Sequence, residues 1–174
     1  MSKLKQKIGA GVIAVALMSA VPFIVDLEGE SLEAYQDVVG VWTICHGETL
    51  GVKPGDRRTR EECQALTESR VGQFMEKVAG QIEVNISPKT LAAHTSFAYN
   101  IGINGYKSSK ALELTNEGKL AEGCRAMKNW NGLTIKGVKY NCNKPQPEWV
   151  RRQGCDGIVN RRNEEIKLCL SGLE

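Results

Sequence analysis

The apolar and polar positions divide the chain into a short uncharged beginning and a long mixed remainder. Residues 8–25 are eighteen consecutive residues without a charge, and Lys3, Lys5 and Lys7 precede them. As a helix this stretch would be about 27 Å long, close to the roughly 30 Å hydrocarbon core of a bilayer. Lysines at such a boundary stay in the cytoplasm, so the pattern predicts export of the residues that follow Val25.

The uncharged stretch is weakly hydrophobic for a membrane span. Seven of its eighteen residues are Gly, Ala or Ser, and Pro22 lies near its end, so it buries less apolar area than a leucine-rich span would. Cleavage by a signal peptidase is not favoured, because the bulky Met18 stands two residues before Ala20. The sequence therefore predicts a weak attachment to a membrane through residues 8–25. A cleaved signal peptide and a permanent anchor are the alternatives.

The remainder of the chain alternates between strand-like and helix-like patterns. Tyr35 and residues 41–44 favour strands on either side of a turn at Gly40, which predicts a β-hairpin. Apolar residues then recur at helical spacing after a capping box formed by Thr59 and Glu62. Three further helices are predicted after that one, over residues 87–102, 108–117 and 119–130.

Composition and charge exclude several functional classes. The 174 residues suit one domain with a buried core, and the net charge of +3 is only mildly basic. The sequence contains no basic stripe interleaved with aromatic residues, no zinc-finger spacing and no helix-turn-helix signature, so we expect no nucleic-acid partner. Nothing in the pattern indicates an oligomer, and we expect a monomer.

Six cysteines in an exported chain indicate disulfide bonds. None of them forms a Cys-x-x-Cys pair, so we expect no metal site and no other cofactor. Cys142 and Cys155 bracket the Pro- and Asn-rich stretch "NCNKPQPEWVRRQGC", and we predict that they staple a local loop. The sequence does not choose among the possible pairings of all six, and buried free thiols are the alternative for any pair.

The stretch after the uncharged segment contains candidates for acid–base chemistry. Gly29 is suited to end a helix, which would place Glu28 in the last turn, where exposed carbonyl groups disfavour an ionised carboxylate. Asp37 would end the first strand of the hairpin, and Thr43 would lie on the second. Two carboxyl groups that face each other across a cleft are what glycoside hydrolysis needs. The alternative is a charge-rich surface hairpin, because three other glutamates lie in the same stretch.

The segment "LEGESLEAYQDVVGVWTICHGET" resembles the catalytic segment of the phage-type lysozymes, glycoside hydrolase family 24. That family's pattern is Glu, eight residues, Asp or Cys, five residues, Thr, and both spacings match here. The resemblance implies that Glu28 is the general acid, that Asp37 works with the attacking water, and that Thr43 is its partner. The family's common "TIGxGH" reads "TICHG" here, with Cys45 and His46 where Gly and an apolar or aromatic residue often stand. His46 is therefore a further candidate for the substrate cleft.

Two later segments extend the resemblance. "SFAYNIGINGYKSSKAL" is similar to the family's region with an aromatic residue followed by Asn, which implies that Tyr99 and Asn100 contact the sugar chain. An ordinary core aromatic is the alternative for Tyr99. "GIVNRRNEEIKLCL" is similar to the family's closing helix, which implies roles at the surface or in ion pairs for its three charged positions, Arg161, Arg162 and Glu165.

The resemblance, joined to the uncharged N-terminus, implies a signal-arrest-release endolysin of this family. The implied fold class is α+β and lysozyme-like: a small β-hairpin lobe at residues 34–58, a larger helical lobe, and the active-site cleft between them. Residues 1–25 would be the membrane segment, and residues 26–174 the lysozyme domain. The region between Trp130 and Gly157 is longer than is usual in the family.

The implied substrate is bacterial peptidoglycan. Its β-1,4 bonds between N-acetylmuramic acid and N-acetylglucosamine would be hydrolysed, with inversion, by Glu28 and Asp37. The protein would be tethered to the periplasmic face of the inner membrane through residues 8–25 and later released to the periplasm. Three alternatives stay open: a lytic transglycosylase that uses Glu28 without a base, a non-catalytic wall-binding module, and an ordinary secreted lysozyme with a cleaved signal.

Overall fold

The fold combines seven helices and two small antiparallel sheets within residues 8–37 and 40–174, which are the residues that the computed structural model describes. The α-helices are α1 Ala10–Glu28, α2 Arg60–Ala79, α3 Pro88–Lys107, α4 Lys110–Asn116, α5 Leu120–Ala126, α6 Glu148–Val150 and α7 Asp156–Leu170. A short 3₁₀ turn lies at Met127–Trp130, and a short π turn lies at Arg151–Cys155. The strands are β1 Ser31–Gln36, β2 Trp42–Cys45, β3 Gly132–Ile135 and β4 Val138–Asn141. This arrangement confirms the predicted α+β class.

Helix α1 is formed by the uncharged stretch and packs against α2 and α3. Its residues Ala16, Ala20 and Ile24 are fully buried, and their spacing of four places them on one face of the helix. The opposite face remains apolar and open to solvent, with Met18 71% exposed. Within the described ranges, α1 is the one helix long and apolar enough to cross a membrane. The same residues therefore suit both a bilayer and a protein core.

The end of α1 is set by a glycine. Gly29 has a φ of 72° and donates its backbone N–H to the carbonyl of Val25, a left-handed cap that glycine adopts at little cost. The helix ends at Glu28, as the sequence predicts.

Strands β1 and β2 form the predicted hairpin. Tyr35 pairs with Thr43, and Gln36 pairs with Trp42. A disulfide bond between Cys45 and Cys63 ties the end of β2 to α2. The small lobe is thereby fixed to the helical lobe beside the end of α1.

The two long helices begin where their capping residues indicate. Thr59 and Glu62 form the complete capping box at α2, and Ser87 caps α3 ahead of Pro88. The predicted stop at Gly102 is present as a break in the helix, because its φ of 78° interrupts the helical backbone. The helix then resumes and continues to Lys107, a continuation that was not predicted. It resumes because the last turn contributes Tyr106, which is fully buried.

The region that is longer than usual in the family forms a second hairpin, β3–β4. Lys136 and Gly137 make its two-residue turn, with φ values of 48° and 81°, as type I′ turns require. One disulfide bond joins Cys142 to Cys155, the pair that the sequence singled out. The third bond, Cys124–Cys169, joins α5 to α7.

Candidate active site

Glu28 lies where α1 meets the β1–β2 hairpin. Its side chain is 21% exposed, and Oε1 lies 2.9 Å from Nη1 of Arg161 on α7. Gly47 faces the same carboxylate: a Cβ at that position would lie 3.6 Å from Oε2, and its φ of 87° favours glycine. A cavity of about 310 Å³ opens beside Glu28, lined also by Tyr35 and Cys45. Glu28 is thus held on one side and accessible on the other.

Arg161 belongs to a buried charge network on α7. Glu165, which is fully buried, accepts from Nε of Arg161 at 3.1 Å, from Nη1 of Arg162 at 2.6 Å and from the hydroxyl of Ser96 at 2.8 Å. The guanidinium of Arg162 lies 5.0 Å from the ring centre of Phe97. The expected ion pairs are present, but the expectation of surface positions is wrong, because all three charged side chains lie inside the helical lobe.

Removing these charged groups from water costs free energy, and their hydrogen bonds and ion pairs offset only part of that cost. Ions removed from water need partners for each polar atom. Among the described residues, Nη2 of Arg161 and Nε of Arg162 have no acceptor. Since buried ion pairs often add no stability over apolar side chains, and Arg161 contacts Glu28 directly, we interpret the network as a support that holds Glu28.

Asp37 and Thr43 are linked through Val41. The backbone N–H of Asp37 donates to the carbonyl of Val41 at 2.9 Å, and the N–H of Val41 donates to Oδ1 of Asp37 at 2.8 Å. Thr43 is buried, and its hydroxyl donates to the carbonyl of Val41 at 3.1 Å. The carboxylate and the hydroxyl therefore have their positions fixed by the same short segment of the hairpin.

Tyr99 reaches this region from α3. Its hydroxyl donates to the carbonyl of His46 at 3.4 Å. Burial, and after it the negative charges of Glu28 and Glu48, raise the pKa of Tyr99 to about 12. The phenol therefore stays protonated in any physiological medium and serves as a donor rather than as a base.

His46 and Asn100 serve different parts of the site. The ring of His46 is buried, with Nδ1 2.8 Å from the hydroxyl of Thr67 and Nε2 3.9 Å from the carboxylate of Glu30. Asn100 is exposed, and its Oδ1 accepts from Nη2 of Arg162. The ring of His46 is thus an inner support of the loop after β2, whereas Asn100 lies at the surface, attached to the charge network.

Sequence reasoning missed Gly47 and the role of Arg161. The only local signal for the network was the spacing of Arg161 and Arg162 four and three residues before Glu165, which suits ion pairs on one helix. Cys45 also keeps a left-handed backbone, with a φ of 57°, where the family often has glycine. Its disulfide bond to Cys63 holds this conformation in place of the glycine.

Within residues 8–37 and 40–174, no group of three or more His, Cys, Asp or Glu side chains is placed to hold a metal ion.

Comparisons with known proteins identify the family of the chain. A sequence profile of the family described as Phage lysozyme matches residues 25–165. The SAR-endolysin of Pseudomonas phage phiKMV is 40% identical over 155 residues, which cover 89% of this chain and 88% of that protein.

Solved structures resemble the whole fold. The muramidase domain of SpmX from Asticaccaulis excentricus superposes with a TM-score of 0.75 at 28% identity, over 87% of this chain and 95% of that one. The endolysin from Escherichia coli O157:H7 phage FAHEc1 gives a TM-score of 0.71 at 26% identity, over 97% and 96% of the two chains. The profile match covers most of the chain, including Glu28, the hairpin and the buried network on α7. The chain belongs to the phage lysozyme family.

Proposed function

We propose that the protein is an endolysin, a muramidase that hydrolyses the β-1,4 bonds between N-acetylmuramic acid and N-acetylglucosamine in peptidoglycan and so causes lysis of the host cell. The observation that carries this proposal is the setting of Glu28. A partly exposed carboxylate ends a helix beside a cavity, faces a glycine, and is held by a buried arginine. A side chain that served only packing would not need this combination.

In the proposed reaction Glu28 is the general acid. It donates its proton to the glycosidic oxygen while the bond from that oxygen to the anomeric carbon breaks. A water molecule attacks the anomeric carbon from the opposite face and loses a proton to Asp37. Thr43 orients this water, and Arg161 stabilises the carboxylate that Glu28 becomes. This sequence inverts the anomeric configuration, for which carboxyl groups about 6.5 to 9.5 Å apart are typical.

Tyr99 and Asn100 are proposed to contact the sugar chain. A protonated phenol beside the acid and an exposed amide attached to the charge network both offer hydrogen bonds to hydroxyl or acetamido groups. His46 would act on substrate indirectly, through the position of its own carbonyl and of Glu30.

Replacement of the acid tests the proposal. Glu28→Gln should lower the rate of wall hydrolysis by about 10²- to 10⁴-fold, the usual contribution of a general acid. Glu33→Gln is the matched control, because the side chain of Glu33 is 68% exposed and pairs with Arg57 on the surface. Equal activity of Glu28→Gln and the wild type would refute the catalytic role and leave a wall-binding module.

The products distinguish hydrolysis from transglycosylation. Mass spectrometry of digested peptidoglycan should show reducing muramic acid ends, and NMR of the fresh product should show the inverted anomer. Anhydromuramic ends would show instead that the protein is a lytic transglycosylase.

We further propose that residues 1–25 are a signal-arrest-release segment attached to a lysozyme domain of residues 26–174. In the tethered form, residues 8–25 would lie in the inner membrane with the remainder in the periplasm. Glu28 would then lie about 4.5 Å beyond the membrane segment by helical rise, at the lipid boundary. Release would allow α1 to fold into the core and bring Glu28 to Arg161.

N-terminal sequencing of the soluble periplasmic protein tests this release. An N-terminus at Met1 or Ser2 would agree with release of the intact segment. A start near Val21 would show that a signal peptidase removes it, as in an ordinary secreted lysozyme.

A further inference from the structure

The hairpin β3–β4 and the segment that follows it form a compact basic unit, which we call the hairpin module and define as residues 128–156. The module contains six Lys or Arg residues against two acids, a net charge of +4 in a chain whose total is +3. The rest of the chain is therefore close to neutral, and the positive charge of the protein is concentrated in this module.

The charges within the module are of two kinds. Its two arginines are paired with its two acids: Arg151 contacts Asp156 at 3.0 Å, and Arg152 contacts Glu148. Its four lysines are exposed, and no acidic partner lies near their ammonium groups in the described part of the chain: Lys128, Lys136, Lys139 and Lys144. The net positive charge therefore comes from lysines that face solvent.

The backbone that presents these lysines is fixed. The disulfide bond between Cys142 and Cys155 closes the module. At its base, the N–H of Cys142 donates to the carbonyl of Asn131 at 2.7 Å, and the amide of Asn131 donates to Asn143 at 2.7 Å. A ligand would thus meet charges held on a stapled hairpin, which reduces the entropy lost on binding.

The two faces of the hairpin have different roles. Leu133 and Tyr140 are paired across the strands, and this face packs on the following segment: Leu133 lies against Gly154, and the ring centres of Tyr140 and Trp149 are 5.7 Å apart. Side chains alternate along a strand, so Lys139 lies on the other face. The apolar face anchors the module, and the polar face presents charge.

The module is also close to the candidate active site. Cys155 directly precedes α7, and Arg161 follows it by six residues, which is about 9 Å of helical rise. Since Arg161 contacts Glu28, the module ends within a short distance, along α7, of the residue that holds the proposed acid. Complementary charge at such a place favours binding of a polyanion.

We propose that the exposed lysines of the hairpin module bind the carboxylates of peptidoglycan stem peptides while the glycan strand occupies the cleft. This inference rests on the proposed muramidase function. In peptidoglycan the lactyl group of muramic acid is in an amide bond, so the free carboxylates belong mainly to the peptides. The module would therefore bind wall whose peptide carboxylates are free and would not bind wall in which those carboxylates are converted to amides.

The test uses the full chain with Glu28→Gln, so that the wall is not cut during binding. One protein carries Lys136→Gln, Lys139→Gln and Lys144→Gln. The matched control carries the same change of charge at three exposed lysines elsewhere, Lys53→Gln, Lys89→Gln and Lys107→Gln. Circular dichroism and thermal unfolding establish that both are folded. Binding is measured by co-sedimentation with intact sacculi, with sacculi whose free carboxylates are converted to methylamides by a carbodiimide and methylamine, and with vesicles of phosphatidylglycerol and phosphatidylethanolamine.

We expect the module variant to bind intact sacculi roughly fivefold more weakly than the control at low ionic strength, because surface charge pairs are individually weak but additive when close. The difference should shrink at high salt and vanish on amidated sacculi, which keep their cross-links but lack the free carboxylates. Equal binding by both variants, an equal loss on amidated sacculi, or a loss confined to the vesicles would overturn the proposal, the last by indicating a lipid surface.

Failure of the proposed function gives a different result. If the protein with Glu28 intact cuts neither intact nor amidated sacculi, the muramidase assignment fails, whereas the comparison of the two lysine variants still reports on stem-peptide binding. If the enzyme cuts both materials and the two variants bind alike, only the inference about the module fails.

Discussion

Arg161 and Glu28 join the two ends of the fold: Nη1 of Arg161, on the C-terminal helix, lies 2.9 Å from Oε1 of Glu28, the last residue of the N-terminal helix. The arginine also contacts Glu165, so one guanidinium serves two carboxylates. The position of the proposed acid therefore depends on α1 being docked in the core.

Replacement of Arg161 should reduce catalysis more than substrate binding. Arg161→Lys retains a charge but loses the planar fork that reaches both carboxylates, and we expect kcat to fall by about tenfold to a hundredfold with little change in KM. Steady-state kinetics on soluble glycan fragments measures this split. Arg151→Lys is the control, because Arg151 makes an exposed pair with Asp156; an equal effect of both substitutions would contradict a specific role for Arg161.

Gly47 should tolerate no side chain. Gly47→Ala puts a Cβ on a residue with a φ of 87°, which costs about 1–2 kcal/mol of stability, and it places a methyl group in van der Waals contact with the carboxylate of Glu28. We expect a lower melting temperature and lower activity. Gly72→Ala, within α2 and with open space around its Cβ, should stabilise the protein by about 0.5–1 kcal/mol instead. If Gly47→Ala and Gly72→Ala both lowered or both raised the melting temperature, this account would be contradicted.

His94 should make stability depend on pH. Burial lowers the pKa of His94 from 6.5 to about 4. Below pH 6.5 the unfolded chain therefore takes up a proton that the folded protein does not, and the free energy of unfolding falls by up to about 1.4 kcal/mol per pH unit until pH 4. The stabilisation is thus complete above pH 6.5 and is lost as the pH falls.

Denaturant unfolding at pH values from about 7.5 to about 4 checks this dependence on His94, because this range spans the pH values over which the folded and unfolded states differ in protonation. His94→Gln can still bond to the hydroxyl of Tyr106, which lies 3.0 Å from Nδ1 in the wild type, but it has no proton to gain. Its stability should fall less steeply with acidification than that of the wild type. Parallel curves for the two proteins would show that other groups cause the acid lability.

The two disulfide bonds outside the small lobe should have different consequences. Loss of Cys142–Cys155 by double substitution to Ser should expose residues 142–155 to proteases while the melting temperature changes little, because the bond closes a short peripheral loop. Loss of Cys124–Cys169, whose cysteines are fully buried in the main core, should lower the stability of the whole fold by about 2–5 kcal/mol. Limited proteolysis and calorimetry together distinguish the two; an equal global effect would contradict the peripheral role of the first bond.

Greater hydrophobicity of α1 should delay release without harm to the folded enzyme. Ala14 lines an open groove of about 830 Å³ between α1 and α2. The larger side chain of Ala14→Leu therefore fits in the folded protein, and it also makes the segment more hydrophobic in a membrane. We expect a larger membrane-bound fraction after cell fractionation and an unchanged melting temperature of the soluble form. Ala16→Leu adds the same area at a fully buried position and should cost about 1–3 kcal/mol through overpacking. Identical melting temperatures would contradict the packing of α1.

Local signals made much of this fold predictable. Gly29 indicated the end of α1, Thr59 with Glu62 and Ser87 indicated two helix starts, and strand-favouring residues around Gly40 indicated the first hairpin. Each signal acts within a few residues of the feature it creates. The second hairpin was missed, although the alternation around Lys136 and Gly137 was visible.

Contacts between distant segments were not predictable in this way. The packing face of α1 could not be read from its sequence, because nearly every residue from 8 to 25 is apolar or small and no helical period stands out. The burial of Arg161, Arg162 and Glu165 runs against the ordinary preference of charged side chains for solvent. Their partners come from α1 and α3, far away in the chain, and only the folded structure brings them together.

Under the proposed membrane attachment, Ala16 and Ala20 must suit two environments. A charged residue at either position would be costly in hydrocarbon, and a larger apolar residue, although suited to lipid, would overpack the core in which both alanines are fully buried. Small, uncharged side chains are therefore the ones that meet both demands. The two positions would tolerate few substitutions in an enzyme that is first tethered and then folded, even though neither alanine is among the proposed catalytic residues.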